Sequence, residues 1–129
     1  LQANHKLLKA SPSASVVLFS TVAVRMGMSF HASIAGAKGA VEGLTRSLAA
    51  EWAPAIRVNA IAPSLTDTPL AAGLLGNDDK RAAAADRHPL KRVGTADEVA
   101  SLAAWLLSDH AVSISGQIHA FDGGMSSLR

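Results

Sequence analysis

The stretch "SIAGAKGAVEGLTRSLA", Ser33 to Ala49, decides how the rest of the chain is read. It reads as a helix with one lysine set among small residues. Val41, Leu44, Leu48 and, just beyond, Trp52 recur at helical spacing, and Pro54 stops the run, so a helix is predicted over roughly His31 to Trp52. Lys38 follows Ile34 by four residues, which puts both on one helix face. On either side lie apolar runs of a different character. "VVLFST" (Val16 to Thr21) is rich in β-branched residues and apolar on both faces, as a buried strand of a parallel sheet is. "IRVNAIAPS" (Ile56 to Ser64) reads as the next strand, ending at Pro63. Strand, helix, strand is the signature of a parallel crossover.

The same helix carries a second stripe. Ala35, Gly39, Gly43 and Ser47 form a row of small residues at four-residue spacing, with Gly36 beside it. Three interior glycines cost about 3 kcal/mol relative to alanine. Close approach of another backbone offsets such a cost, and two readings stand equally: packing within the chain, or a helix shared with a partner copy.

Outward from this unit, "SPSAS" (Ser11 to Ser15) is a loop, and "LQANHKLL" reads as the end of a helix with Leu1, His5 and Leu8 on one face. "LTDTPLAAGLLGNDDKRAAAADRHP" is interrupted by Gly73, Gly76 and Pro89, which predicts two short, mobile helical pieces. "TADEVASLAAWLLSD" is a clean helix: Thr95 and Glu98 form a capping box, and Val99, Leu102, Ala103 and Leu106 face the core. "GQIHAFDGG" (Gly116 to Gly124) is a last strand closed by a glycine turn. No internal repeat or low-complexity tail is present.

Composition sets the limits. The 129 residues are 49% apolar and 17% charged, enough for one globular domain. There is no cysteine, which excludes disulfides, thiolate metal sites and cysteine nucleophiles, and fits a reducing compartment. The formal charge is +2, and the basic residues are scattered with no aromatic-interleaved run, so no nucleic-acid partner is expected. The longest apolar stretch, "VVLFSTVAV", is far below the ~20 residues of a membrane span. A cytoplasmic domain is expected, with no membrane contact. The start at Leu1, within a helix-like segment, gives the expectation of a piece of a longer product.

Together "SVVLFSTVAV", "AKGAVEGLTRSLAAEWAPAIRVNAIAPSLTDTP", "PLKRVGTADEVASLAAWLLSD" and "ISGQIHAFDGGMS" resemble the C-terminal half of a short-chain dehydrogenase/reductase. The resemblance runs over about Ser15 to Ser126, with the motifs in the family's order and spacing. It implies an α/β fold: the C-terminal half of a Rossmann-like, doubly wound parallel sheet of about three strands with flanking helices. The last strand would lie at the sheet edge, and a bare edge on the other side would be exposed unless covered. It also implies an oxidoreductase transferring hydride between NAD or NADP and a small carbonyl or alcohol.

In that family a tyrosine and a lysine four residues later share a helix. The ammonium lowers the phenol's pKa so that it exchanges a proton with substrate near neutral pH, and a serine at a strand end holds the reacting oxygen. The resemblance makes Lys38 the family's lysine, with a ribose contact as its role beside the plainer reading of a solvated helix lysine. The serine position falls on Thr21, with Ser20 beside it. The tyrosine position falls on Ile34, and the chain has no tyrosine at all. Isoleucine neither donates nor accepts a proton, so the resemblance implies a divergent member without its usual acid. His31, one turn before Ile34, is either a polar residue near the helix start or a weak substitute acid. Ser33 is expected to be a cap or a solvent contact.

"APSLTDTP" (Ala62 to Pro69) resembles the family's loop against the nicotinamide amide, with Pro63, Leu65 and Thr68 in those places and Ser64 where glycine is usual. The alternative is a simple turn, with Thr66 or Asp67 capping the next helix. Leu70 to Pro89 would be a substrate lid hinged at Gly73 and Gly76. Asp122 is expected as a turn former, Asp78 with Asp79 as a helix N-terminal cap, and His88, His110 and His119 as structural or exposed residues. No metal ligand set is present.

The family's glycine-rich pyrophosphate turn and its active-site asparagine have no counterpart in these residues. The dinucleotide-binding half is therefore expected to lie outside the chain, leaving 1–129 as a single domain that binds no cofactor alone. Three functions stay open: an oxidoreductase half in an intact parent, with this piece inactive; a non-catalytic cofactor-sensing or assembly protein; and catalysis through His31 or a water held by Lys38. Homo-oligomerisation is expected through the helix at 31–52, through the last helix and strand, or both.

Overall fold

The computed structural model describes residues 1–128. A short 3-10 turn leads into α1 (His5–Ala10), and β1 (Ala14–Phe19) follows. The predicted crossover helix is α2 (Ala32–Trp52), which returns the chain to β2 (Ile56–Pro63). Beyond it come β3 (Thr66–Asp67), a 3-10 turn at Pro69–Ala71, α3 (Asp78–Asp86), β4 (Gly94–Thr95), α4 (Ala96–Leu107) and β5 (Ile118–Phe121). Strands β1, β2 and β5 form one parallel sheet in the order β1-β2-β5, with Ala14 opposite Ile56 and Ala60 opposite Ile118. The expected three-stranded sheet is thus present, with β5 at one edge and β1 at the other.

Strand β2 is the centre of the molecule. Its alternating side chains serve opposite faces. Ile56 and Val58 pack with Ala14, Val16, Ala49 and Trp52 beneath α2. Ile61 packs with Val99, Leu106 and Ala111 beneath α4. Both faces are therefore covered, as a doubly wound sheet requires. The face toward α4 is also polar in a directed way. Arg57 donates from Nη1 to the carbonyls of Leu106 (2.8 Å) and Ala111 (2.9 Å), and from Nη2 to Ser108 (3.0 Å). It thereby satisfies carbonyls that the end of α4 leaves without helical partners. Fully buried Asn59 donates from Nδ2 to the Ile114 carbonyl and accepts from the Gln117 amide.

The capping box of α4 is formed as predicted, and Val99 and Leu106 are buried. The buried side of α2 departs in part from its apolar row. Trp52 is buried and Leu48 packs against the same core, but Leu44 is 45% exposed, while Glu42, Thr45 and Ala49 are buried. The small Thr45 and Ala49 bring the helix close to the strands, and this rotation turns Leu44 outward. Close packing within the chain accounts for only part of the small stripe. A Cβ at Gly36 or Gly43 would meet nothing within 4 Å, and only Gly39 faces a neighbour, Val24, at 3.8 Å.

Replacing Asn59 by alanine would strand the Ile114 carbonyl and the Gln117 amide in a dry interior. Asn59→Ala is expected to cost about 2–3 kcal/mol, read as a lowered midpoint in urea with an unchanged slope.

Candidate functional site

Parallel pairing places the C-terminal ends of β1 and β2 side by side, and open parallel sheets bind ligands beyond those ends. Thr21 follows β1 and Ser64 follows β2. The two line one cavity of about 330 Å³, together with His31 at the start of α2, Leu65, Leu74, Arg87 and His88. The cavity therefore gathers Thr21, His31, Ser64 and Leu65 from among the sequence-predicted residues, and the segment proposed as a lid supplies part of its wall.

Each polar group there is held in a definite way. Thr21 caps a 3-10 turn, its Oγ1 accepting from the Ala23 amide at 3.4 Å. His31 Nδ1 lies 2.7 Å from the Ser29 carbonyl, which only accepts. The hydrogen is then on Nδ1, and Nε2 is free of it in the neutral ring. Phe30, just before it, has φ +63° and is wholly exposed, a left-handed conformation unusual for a bulky residue. Ser64 Oγ lies 2.8 Å from His88 Nε2, and His88 Nδ1 lies 2.8 Å from the Ala84 carbonyl. His88 is only 2% exposed. Gly123, at φ +57°, packs on it: a Cβ there would come within 3.4 Å of the His88 Cβ.

The remaining predicted residues do not line this cavity. Lys38 Nζ donates to the Phe19 carbonyl at 2.9 Å, at the end of β1. Ile34 is one turn earlier on the helix and 42% exposed. Ser20 is buried and donates its hydroxyl to Glu42 Oε1 at 2.8 Å, so its Oγ is committed to the packing beneath α2. Pro63 ends β2, and Thr68 lies beside Asp67 and Arg81 in a separate depression. Ser33 is exposed, and His31, not Ser33, is the N-cap of α2, its side chain making no capping bond to the helix.

Neither Thr66 nor Asp67 caps the next helix. Thr66 Oγ1 donates to the Ser64 carbonyl, Asp67 pairs with Arg81 at 2.7 Å, and both residues pair in parallel with Gly94 and Thr95. The cap of α3 is Asn77, which accepts from the Lys80 amide, while Asp78 and Asp79 occupy the first turn. Nothing in the 24-residue separation of Ser64 and His88 could have paired them: only the return of the chain through α3 does. Among the described residues no group of three potential ligands could hold a metal, and no helix is long and apolar enough to cross a membrane.

Asp122 is the turn former expected. Its Oδ1 accepts from the Gly124 amide at 3.0 Å and its Oδ2 from the Ser126 amide at 2.8 Å. Burial pushes its pKa up, but the Ser126 and Gly124 donors and nearby His88 outweigh this and hold the carboxyl below its ordinary value. A carboxyl held low contributes stability that is complete above the unfolded value of about 3.9 and is lost as pH falls through the lower folded value. Asp122→Asn is therefore expected to cost about 1–2 kcal/mol at pH 7, with the difference from the parent shrinking on acidification below about pH 4. Urea denaturation at several pH values measures both.

The comparisons with known proteins agree with this architecture. Residues 1–126 match the family model described as enoyl-(acyl carrier protein) reductase. A tropinone reductase homolog of Arabidopsis thaliana is 46% identical over 129 residues, covering 97% of this chain and 48% of that protein. A short-chain type dehydrogenase/reductase from Mycobacterium ulcerans superposes with a TM-score of 0.90 at 30% identity, over 100% of this chain and 47% of that one. A 4-hydroxyisoleucine dehydrogenase complexed with NADH gives a TM-score of 0.86 at 25% identity, over 99% of this chain and 52% of that one. The chain spans about half the length of the curated relatives it matches. On the family match, the sequence identity and the shared α/β architecture, the chain belongs to the short-chain dehydrogenase/reductase family.

Proposed function

We propose that these residues work as the C-terminal half of an NAD(P)-dependent oxidoreductase acting on a small carbonyl or alcohol, and that Ile34 occupies the seat of the family's tyrosine. The observation that carries this reading is Lys38. Its ammonium is fixed on the Phe19 carbonyl, at the strand end that leads to Thr21. That bond uses one of three donors, which leaves two for the hydroxyls of a nicotinamide ribose. The Ser64–Leu65 turn, at the end of β2, would face the nicotinamide, with Pro63 and Thr68 flanking it. When bound, the dinucleotide supplies the hydride. The protein's part is to orient the reacting oxygen, for which the Thr21 hydroxyl stands ready, and to exchange a proton with it. An aliphatic Ile34 cannot make that exchange. His31, which lines the same cavity as Thr21, is the group at the start of α2 that can carry a proton. A cytoplasmic setting belongs to the same reading and is motivated by the absence of cysteine.

The expected outcome is that the 129-residue chain alone oxidises neither NADH nor NADPH against a panel of small carbonyls. Clear turnover by this chain would refute the reading. In the product of the whole reading frame, NADH binding is expected to weaken in Lys38→Met. Carbonyl reduction is expected to rise by about 10²–10⁴-fold in Ile34→Tyr, the usual worth of a positioned acid. A parent that already turns over as fast as Ile34→Tyr would remove Ile34 from the role given to it, and loss of that rate in His31→Ala would pass the role to His31.

A second reading, a non-catalytic sensing or assembly protein on the same fold, is favoured by the exposed small-residue face of α2, where Gly36 and Gly43 meet nothing in their own chain. In this reading a second copy covers that face. Light scattering is expected to give a dimer or larger species that Gly43→Leu dissociates, and a monomer at micromolar concentration would count against it.

A further inference from the structure

We propose that Ser64 and His88 form a nucleophile–base pair that gives this chain an acyl-transfer activity of its own, an esterase-type hydrolysis of small acyl esters that is independent of hydride transfer. The pair is built to one polarity. His88 Nδ1 faces the Ala84 carbonyl at 2.8 Å, and a carbonyl takes a hydrogen and gives none. In the neutral ring the lone pair is therefore on Nε2, 2.8 Å from Ser64 Oγ, and the serine hydroxyl donates to it. This is the arrangement of an activated nucleophile: hydroxyl on base, base oriented by a third group. His88 cannot swing away, since it is 2% exposed and Gly123 lies against its Cβ. The serine is held from behind by its own amide, which donates to the Phe121 carbonyl at 3.1 Å.

The surroundings complete the requirement. Ser64 is only partly buried and opens on the 330 Å³ cavity, room for a small ester. Two donors suit the oxyanion. The Thr21 hydroxyl lines the same cavity and donates to no partner among the described residues. The Leu65 amide, which follows the nucleophile, also donates to none of them. In the reaction the Oγ–acyl bond forms as the ester C–O bond breaks. The proton passes from Oγ to His88 Nε2 and on to the departing alkoxide. Water then attacks the acyl-serine, gives its proton to Nε2, and releases the carboxylic acid with Ser64 restored.

The test uses the full chain with diisopropyl fluorophosphate, which places a phosphoryl group on an activated Oγ with loss of fluoride, and with p-nitrophenyl acetate. One phosphoryl group per chain is expected, on Ser64 by peptide mapping, together with ester hydrolysis that the reagent abolishes. Ser64→Ala is expected to remove both, and His88→Gln to slow labelling by about 10²-fold or more. Labelling that is absent, that falls on another residue, or that is as fast in folded His88→Gln as in the parent overturns the proposal. If either variant fails to fold by circular dichroism, the parent decides: modification confined to Ser64 supports the pair, and any other pattern overturns it.

Discussion

The arrangement depends on the parallel pairing of β1 with β2. Parallel strands cannot be joined by a tight turn, so the chain must cross over, and α2 is that crossover. Two consequences follow for the site. Both strands end on the same rim, which brings Thr21 and Ser64 to one cavity despite their distance in sequence. The helix must also begin on that rim before running back, so His31, Ile34 and Lys38 stand at the same end of the sheet. The bond from Lys38 to the Phe19 carbonyl ties the helix start to the end of the strand it left.

The core that supports this rim is made of small residues and directed polar ties. With few aromatics available, α2 lies near the sheet through Thr45 and Ala49. Ser20 hydrogen-bonds Glu42 within the packing, and the exposed Arg46 stands 3.6 Å from the same carboxylate. On the opposite face Arg57 and Asn59 bind backbone groups near the end of α4 and before β5. Buried polar groups of this kind add specificity of register more than net stability. Sliding β2 by one residue would exchange its apolar and polar faces and break every one of these bonds.

How much of this was legible in the sequence follows from what each feature depends on. The strands, α2 and α4 are set by local periodicity and caps and are legible in the sequence, down to the Thr95–Glu98 box, though β1 runs Ala14–Phe19 and so begins inside the stretch expected as a loop. The buried face of α2 is legible only in part, at Leu48 and Trp52. Periodicity follows large apolar residues, whereas here Thr45 and Ala49 face the sheet because they are small, and Leu44 was displaced outward. The β3–β4 pairing went unread because each partner has only two residues, too few for any pattern. At the site, spacing and resemblance point to Thr21, His31, Ser64 and Leu65, which line one cavity. They give His88 no role beyond a structural or exposed one, since its partnership with Ser64 exists only once α3 folds back over the ends of the strands.

β1 is also an outer strand. Its sequence, "ASVVLF", has no charge, no proline and no bulge-forming glycine to deter another extended segment. On one side its backbone groups pair with β2, and on the other they offer a ready template. With the order β1-β2-β5, that rim is where a further parallel segment can extend the sheet by main-chain bonds alone, without asking anything of the side chains.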